Sequence, residues 1–387
     1  MLLKKIKILV WILSLILLHS CVPDQTGSVE IVNGITVYRN GNYPSDRDLK
    51  VETELLFILN QDTGDTTDVI RNITSIDLDD DGNIYILDRR RASVFKYDSS
   101  GSFLNRFGER GTGPGEMTAP IEILCYSDTV YISDQRQRKV ITFDRDGNFI
   151  KDIVPLRENG LPQTLVSIGD GNFAGILFGR SGGRSGGAMS INYSLSILNG
   201  NFEKITELVS EQTEVDFRDF IPEDHINKFT FGDGNIFVAE NSDMRYLIEV
   251  FDYSGNKVSE IRKNHARVQY SDIEREHMMK ALESRFRWRQ VDPSRIRTKK
   301  AVKEIYFHKD GYLLVEAGRR RTENDIFNFI LDVFKDGVYL NTVDLNAEGS
   351  DFYYNEDGFE KTIKGDLLFV FNRDDNEIYV YRIGFYR

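Results

Sequence analysis

One stretch of this chain repeats itself, and the repeat limits what the chain can fold into. Residues 76–108 read IDLDDDGNIYILDRRRASVFKYDSSGSFLNRFG. The same grammar returns at 121–153 (IEILCYSDTVYISDQRQRKVITFDRDGNFIKDI) and at 226–261 (INKFTFGDGNIFVAENSDMRYLIEVFDYSGNKVSEI). Each copy is a short apolar strand, a tight turn, a β-rich strand and a polar loop. A strand ending in an aromatic and Asp follows, then another turn and a last short strand. Four antiparallel strands are too small a sheet to bury both faces alone. Such units are stable only when stacked around an axis, so the repeat predicts an all-β fold, a β-propeller.

Six blades are predicted from the first-turn pairs Asp81-Gly82, Ser127-Asp128, Asp170-Gly171, Asp233-Gly234, Asp310-Gly311 and Lys364-Gly365. Second turns at Ser100-Gly101, Asp146-Gly147, Asn199-Gly200, Ser254-Gly255 and Asp336-Gly337 agree with five of them. Blades three and five are degenerate copies. The last blade lacks a strand, and an open edge would expose unpaired N–H and C=O groups. The apolar segment ETELLFILN (52–60) has no blade of its own and is expected to supply that outermost strand, closing a propeller that spans 51–387. Tyr and Phe (18 and 25) far outnumber Trp (2), which suits strands and disfavours Trp-containing repeat types.

The N-terminus carries Lys4, Lys5 and Lys7, the apolar run ILVWILSLILL (8–18), and then LHSC ending at Cys21. A charged start, a short apolar run and a small residue before Cys predict a lipoprotein signal peptide over 1–20, with Cys21 lipidated. His19 is unusual in that box. Several acyl chains on Cys21 give stable anchoring where one is marginal, placing the protein in the cell envelope, on the outer membrane. Residues 21–50 read as a polar tether with at most a short hairpin at IVNGITVYRNG, turning at Asn33-Gly34. Cys125 is then the one other cysteine, in the apolar run IEILC, and reads as an inert core residue with no disulfide partner.

The net charge of −12 excludes a generic nucleic-acid binder or a general binder of anionic membranes. One segment runs against it: 262–300 holds 12 Lys/Arg against 5 Asp/Glu. Ser271 and Glu274 form a capping box there, and Met278, Ala281, Leu282 and Phe286 follow at helical spacing. A helix ending before Pro293 is expected, packed on the propeller between blades four and five.

FGERGTGPGEM (107–117) before a new strand, and DGNIYILD…VFKYDSSGSFL within a blade, resemble NHL repeats. The likeness is specific in blades one, two and four. The whole arrangement resembles six-bladed β-propeller lipoproteins of Bacteroidota-type bacteria, helical insertion included. That resemblance implies fold and location more than activity. NHL relatives range from protein- and RNA-binding platforms to sensor domains and a few metal-dependent enzymes.

In a propeller the loops joining second and third strands share one end with the connections between blades. Those loops carry Arg89, Arg90 and Arg91 in blade one, and Arg136, Arg138 and Lys139 in blade two. Blade three adds Arg180 and Arg184, blade four Arg245, and blade five Arg319, Arg320 and Arg321. The basic insertion leaves from the same end. A ring of arginines is expected around one channel mouth, and the planar guanidinium grips carboxylate, sulfate or phosphate through two bonds. The bland alternative is solvated loops whose charge is absorbed by Asp88, Asp134, Glu240 and Glu316 at the preceding strand ends.

Enzyme signatures are poor. His19, His225, His265, His277 and His308 show no metal-ligand spacing, and His308 is expected to face solvent at a turn. The acid-rich turn DLDDDGN (77–83) resembles a calcium loop only loosely and lacks the downstream bidentate Glu. GRSGGRSGG (179–187) lacks the strand–loop–helix setting of a phosphate cradle. No cofactor is called for. The favoured reading is a lipid-anchored binding or scaffolding module whose partner is an anionic glycan, an acidic peptide or another exported protein. The alternative is a hydrolase or lyase of the gluconolactonase or amidating-lyase type with a metal at the channel mouth.

Overall fold

The computed structural model describes residues 27–59, 70–156, 160–182, 189–215, 227–285, 297–322, 328–345, 359–372 and 377–387. Six antiparallel four-stranded units follow one another along them. Blade one is Ile73–Leu78, Ile84–Asp88, Ser93–Tyr97 and Phe103–Phe107. Blade two is Pro120–Tyr126, Thr129–Asp134, Lys139–Asp144 and Phe149–Ile153. Blades three, four and five span 161–215, 229–263 and 302–344, and blade six is Phe359–Lys364, Leu367–Asn372 and Ile378–Tyr386 with one N-terminal strand. Five of the six first turns and all five second turns fall between strands where their residues place them; in blade six Lys364 ends the first strand and the turn is Gly365-Asp366.

The second turns form for a local reason. In blades one to four the Asp or Asn at the end of the third strand accepts N–H bonds from positions two and four residues on. Asp144 does so from Asp146 and Asn148 at 3.0 and 2.8 Å, and Asp252 from Ser254 and Asn256 at 2.9 and 2.8 Å. Asp79 plays the same part in the acid-rich first turn, accepting from Asp81 and Asn83 N–H and from the Tyr85 hydroxyl. Arg145 bridges Asp80 and Asp81 at 3.2 and 2.9 Å. These acids are engaged by their own turn and by a guanidinium. Among the described residues no group of three His, Cys, Asp or Glu side chains is arranged to hold a metal ion.

The core is not one mass but six apolar layers, each shared by two neighbouring blades. Ile86 and Phe95 of blade one pack with Phe369 and Val380 of blade six, so the ring is closed. The closing strand is the expected one. Three N-terminal strands are present: β1 (Ser28–Val32), β2 (Ile35–Asn40) and β3 (Lys50–Leu59). β3 pairs antiparallel with Ile378–Tyr386 as the outermost strand of blade six. Its Phe57 lies against the second turn of blade one. A Cβ on Gly101, which has φ of +85°, would stand 2.6 Å from the Phe57 ring. Only glycine meets both the dihedral and the close approach.

The segment expected as a tether is instead a strap on the ring. The Asn33-Gly34 turn joins β1 to β2, and β2 adds in parallel to the outer strand of blade four, Lys257–Lys263. Tyr38 then repeats the role of Phe57, lying against Gly337 in the second turn of blade five. Asn40 is buried, donates to the carbonyls of Arg262 and Gly337, and accepts the Tyr339 N–H at 2.8 Å. Ser45 and Asp46 donate backbone N–H groups to the carbonyls of Tyr339 and Leu340, and Leu49 is buried. Low mean apolarity misrepresents this segment because a few side chains carry its attachment.

Helix α1 (Asp272–Arg285) starts at the expected box. Ser271 N–H donates to Glu274 Oε2 at 2.9 Å, and Glu274 N–H to Ser271 Oγ at 3.3 Å. The side chains of Ala281, Leu282 and Phe286 lie outside the described ones, as do Cys21 and the signal segment. No described helix is long and apolar enough to cross a membrane.

His308 departs from the expected exposed position. It is fully buried rather than facing solvent. Its ring meets Phe385 edge-on at 5.1 Å, shares a hydrogen bond with the Ile383 carbonyl, and accepts the Asp310 N–H at Nδ1. Burial lowers its pKa, so it serves as a neutral brace between blades five and six.

Candidate functional site

Strand connectivity puts the second-to-third-strand loops and the blade-to-blade connections at one end of the ring. In blades one and two this end is built on two buried carboxylates. Asp88 accepts the Arg71 N–H at 2.5 Å and the Arg91 N–H at 2.9 Å. Asp134 accepts four N–H groups: Thr118 at 2.6 Å, Ala119 at 2.9 Å, Arg136 at 3.0 Å and Gln137 at 2.8 Å. Burial opposes its charge, yet the bonds from Gln137, Ala119 and Thr118 prevail and hold its carboxyl below the usual range. Each acid thus joins its own blade's loop to the connection entering that blade. Among the described residues neither pairs with a guanidinium, whereas Glu240, another of the four acids named for that role, does take Arg245.

The loops so fixed surround an open cleft of about 630 Å³ lined by Asn72, Arg89, Arg90, Arg110, Gln135 and Arg136, with Thr118 and Ala119 beneath. Arg110 is a tie rather than a free cation. Its guanidinium donates to the carbonyls of Thr118, Arg89 and Arg90 at 3.2, 3.2 and 2.8 Å. Arg89, Arg90 and Arg136 are exposed, and their guanidinium groups have no ion-pair partner among the described residues. Three guanidiniums without an ion-pair partner among the described residues, with two side-chain amides beside them, can bind an oxyanion and hydrogen-bond neighbouring hydroxyls.

The other expected members go elsewhere. Lys139 is buried, paired with Asp152 at 2.8 Å and bonded to the Gly113 carbonyl, so it is a fastener and not a ligand-facing group. Arg245 pairs with Glu240. Arg319 turns inward to Asp332 at 2.9 Å, a 1%-exposed carboxylate that also holds Lys263 at 2.8 Å. Arg91, Arg138 and Arg321 each have a partner interaction of their own. Arg320 is exposed but lies in blade five. The Arg180 side chain and Arg184 lie outside the described residues. An even ring of arginines is therefore not what the described loops form; of the loop arginines without an ion-pair partner among the described residues, Arg89, Arg90 and Arg136 lie together at blades one and two, and Arg320 stands apart in blade five.

The insertion does belong to this end. Ala301 N–H donates to the Ser242 carbonyl at 2.7 Å, and Gly318 N–H to the Ala301 carbonyl at 3.0 Å. Arg267 pairs with Asp243, and Lys299 with Glu274 while donating to the Arg319 carbonyl. Arg267 and Lys299 are thereby engaged in docking the insertion to blades four and five.

The inner strands carry a second set of charges that the loop-by-loop reading passed over. First strands of neighbouring blades contact one another and line the axis. Asp77 of blade one meets Lys364 of blade six at 3.2 Å and accepts the Cys125 N–H at 2.8 Å. Lys303 pairs with Glu316 at 2.5 Å, and Lys228 with Glu304 at 3.0 Å. These side chains stand within the channel wall yet stay about a third exposed, Lys364 at 32%, Lys228 at 33% and Lys303 at 38%, so they are only partly desolvated. Burial pushes Glu122 up to about 8, with Lys364 acting against the rise, Asp77 adding to it and a Ser75 hydrogen bond opposing it. Burial pushes Lys361 down to about 8 against the pull of Glu316, with Lys303 and Arg321 adding to the fall. The Cys125 thiol is raised by burial and by Asp77, which keeps it protonated and inert, in line with its apolar setting.

Glu122 gives a pH test. Its folded value lies above the ordinary 4.5, so folding takes up a proton. The stabilisation is complete below the unfolded value and lost as pH rises toward 8. Glu122→Gln, which cannot ionise, should flatten the stability profile between pH 4.5 and 8 and exceed wild type above it. Parallel unfolding profiles for the two proteins would show that Glu122 ionises freely.

Residues 57–218 match the DUF5128 family, described as a 6-bladed beta-propeller. No curated protein matches the sequence. Among solved structures, a Bacteroides fragilis protein provisionally described as exported superposes with a TM-score of 0.53 at 12% identity, covering 91% of this chain and 99% of its own. A DUF4221 family member from Bacteroides vulgatus gives 0.50 at 8% identity, over 87% of this chain and 99% of its own. Virginiamycin B lyase from Staphylococcus aureus gives 0.42 at 10% identity, over 87% and 99%. At such identities the likeness concerns the fold: a six-bladed propeller.

Proposed function

We propose that this propeller is an exported, lipid-anchored binding module that takes anionic ligands in the cleft between blades one and two. Export and anchoring at Cys21 rest on the signal pattern of residues 1–21 and accord with the exported protein of the same fold. The observation that carries the binding reading is the convergence of Arg89, Arg90 and Arg136, without carboxylate partners among the described residues, in a chain of net charge −12. Uncompensated like charges held together by a fixed scaffold disfavour the empty state and favour an anion. The cleft falls within the size range of small-ligand sites, roughly 300–1,000 Å³. Asn72 and Gln135 add donors and acceptors suited to sugar hydroxyls. An acidic glycan therefore fits best, ahead of a carboxylate-rich peptide or an exported protein.

The test is a titration with polygalacturonate, dextran sulfate, poly-glutamate and neutral dextran at 50 and 300 mM NaCl. At least one polyanion should bind, neutral dextran should not, and affinity should fall steeply with salt, because exposed charges are screened over about 10 Å at 0.1 M. Absence of polyanion binding at 50 mM NaCl, or binding indifferent to salt, would contradict the reading.

A further inference from the structure

The strap changes what a lipid at Cys21 does to the molecule. The described chain starts at Gly27, whose φ is +101° and whose position for a Cβ lies 2.5 Å from the Arg39 carbonyl oxygen. Five residues separate Cys21 from Gly27. Extended chain spans at most about 3.3–3.6 Å per residue, so Gly27 stays within roughly 20 Å of the lipidated residue. From Gly27 onward the chain is fixed to blade four by β2 and to blade five by Asn40, Ser45 and Asp46. A polar tether of some thirty residues would leave the ring free to tumble above a membrane. A tether of five does not.

The surface held nearest the attachment point is apolar and unpaired. Every residue of β1 is exposed, with Val29 at 60% and Ile31 at 78%. Val29 and Ile31 alternate on one face of the strand, and the outer edge of β1 has no strand partner among the described residues. Exposed apolar side chains occur on other rim strands too, Leu104 among them at 49%. The position of β1 beside the anchor is what distinguishes it. The hairpin's charges, Glu30 and Arg39, pair with each other, so the hairpin is neutral within an acidic chain and does not repel anionic headgroups.

We propose that β1 and the rim of blade four rest on the bilayer interface, holding the ring edge-on to the membrane. This rests on the anchoring at Cys21 put forward above. Edge-on seating leaves both ends of the channel, and the cleft at one of them, open to the aqueous side.

The lipidated full chain is reconstituted on phosphatidylcholine–phosphatidylglycerol vesicles containing brominated lipid. An environment-sensitive fluorophore is placed in turn at Ile31→Cys and at Leu104→Cys, on the outer strand of blade one across the ring. The probe at 31 should be blue-shifted and quenched several-fold more than the probe at 104. Vesicle-bound protein with equal quenching at the two sites would overturn the edge-on seating while leaving the anchor intact. Wild type that fails to bind vesicles, or Cys21→Ala that binds equally well, would overturn the anchor and the seating together. Concentration-dependent shielding at 31 without vesicles would mean that β1 pairs with a second copy, and would also overturn the seating.

Discussion

A chain beginning at residue 60 is expected not to fold to a stable monomer, whereas one beginning at Gly27 should fold fully. The difference is β3. Without it the strand Ile378–Tyr386 becomes an open edge, Leu59 leaves the layer between blades six and one, and Phe57 no longer covers Gly101. A ring depends on all six interfaces, and a domain's whole stability is only about 5–15 kcal/mol, so opening one can consume it. A chain beginning at residue 50 is the informative intermediate. It keeps β3 but loses the burial of Val37 and Leu49, worth roughly 1.5–3 kcal/mol each before the ordering entropy is subtracted. Denaturant unfolding and light scattering on the three chains should rank them 27, 50, 60 in falling stability. Equal stability of the first two would show that the strap contributes nothing, and a soluble, cooperative chain from residue 60 would exclude closure by β3.

Asp134→Ala is expected to cost the most of any single substitution at the candidate site. It leaves the N–H groups of Thr118, Ala119, Arg136 and Gln137 without their acceptor in one step. Each unsatisfied donor costs about 1–3 kcal/mol where water cannot replace the bond. Since these loops reach the surface, a total of about 3–5 kcal/mol is expected rather than the full sum. Asp134→Asn keeps one acceptor oxygen and should lose less. Because the folded carboxyl titrates below its ordinary 3.8, its stabilisation is present above that value and lost as pH falls through the lower folded one. The gap between wild type and Asp134→Ala should accordingly narrow below about pH 4. A loss under about 1 kcal/mol at pH 7 would mean that water replaces the carboxylate. The same variant should weaken polyanion binding, since Asp134 positions both Arg136 and the Thr118–Ala119 wall.

The fold was legible because its signals are local. Gly-containing pairs mark most of the turns, and Asp144 and Asp252 at the ends of third strands make their own turns, so the boundaries of blades two and four could be read directly; in the degenerate blades three and five the turn pairs alone mark them. The orphan strand was legible because a missing partner and a spare apolar run pointed to each other. What escaped the sequence depends on neighbours distant in the chain. Tyr38 sits in a polar stretch, and its partner, Gly337, lies at the far end of the sequence. His308 stands before a turn that looks exposed, yet its neighbours Phe385 and Ile383 come from the last strand. Asp77, Glu122 and Lys364 occupy polar positions that a two-sided strand would give to solvent. In a ring, that side of the inner strand faces the channel.

At the site, the residue types were legible and their states were not. The sequence shows arginines in equivalent loops but not which carboxylates reach them. Lys139 and Arg319 are spent on Asp152 and Asp332, and Arg245 on Glu240. Arg110 was passed over because it lies in a connection between blades rather than in the loops that were compared, though both meet at the same end.

Arg89, Arg90 and Arg136, which have no ion-pair partner among the described residues, and not the arginines of this end in general, are expected to receive the anion. The measurement is the affinity of the tightest-binding polyanion for two variants at 50 mM NaCl. One carries Arg89→Ser, Arg90→Ser and Arg136→Ser; the other carries Arg245→Ser alone. Charge-assisted bonds contribute about 1.5–3 kcal/mol each, so the triple variant should lose at least a hundredfold while unfolding like wild type. Arg245→Ser, which removes a guanidinium already paired with Glu240, should stay within about threefold of wild type. A triple variant that binds as wild type does, or an Arg245→Ser loss as large as the triple's, would contradict the account.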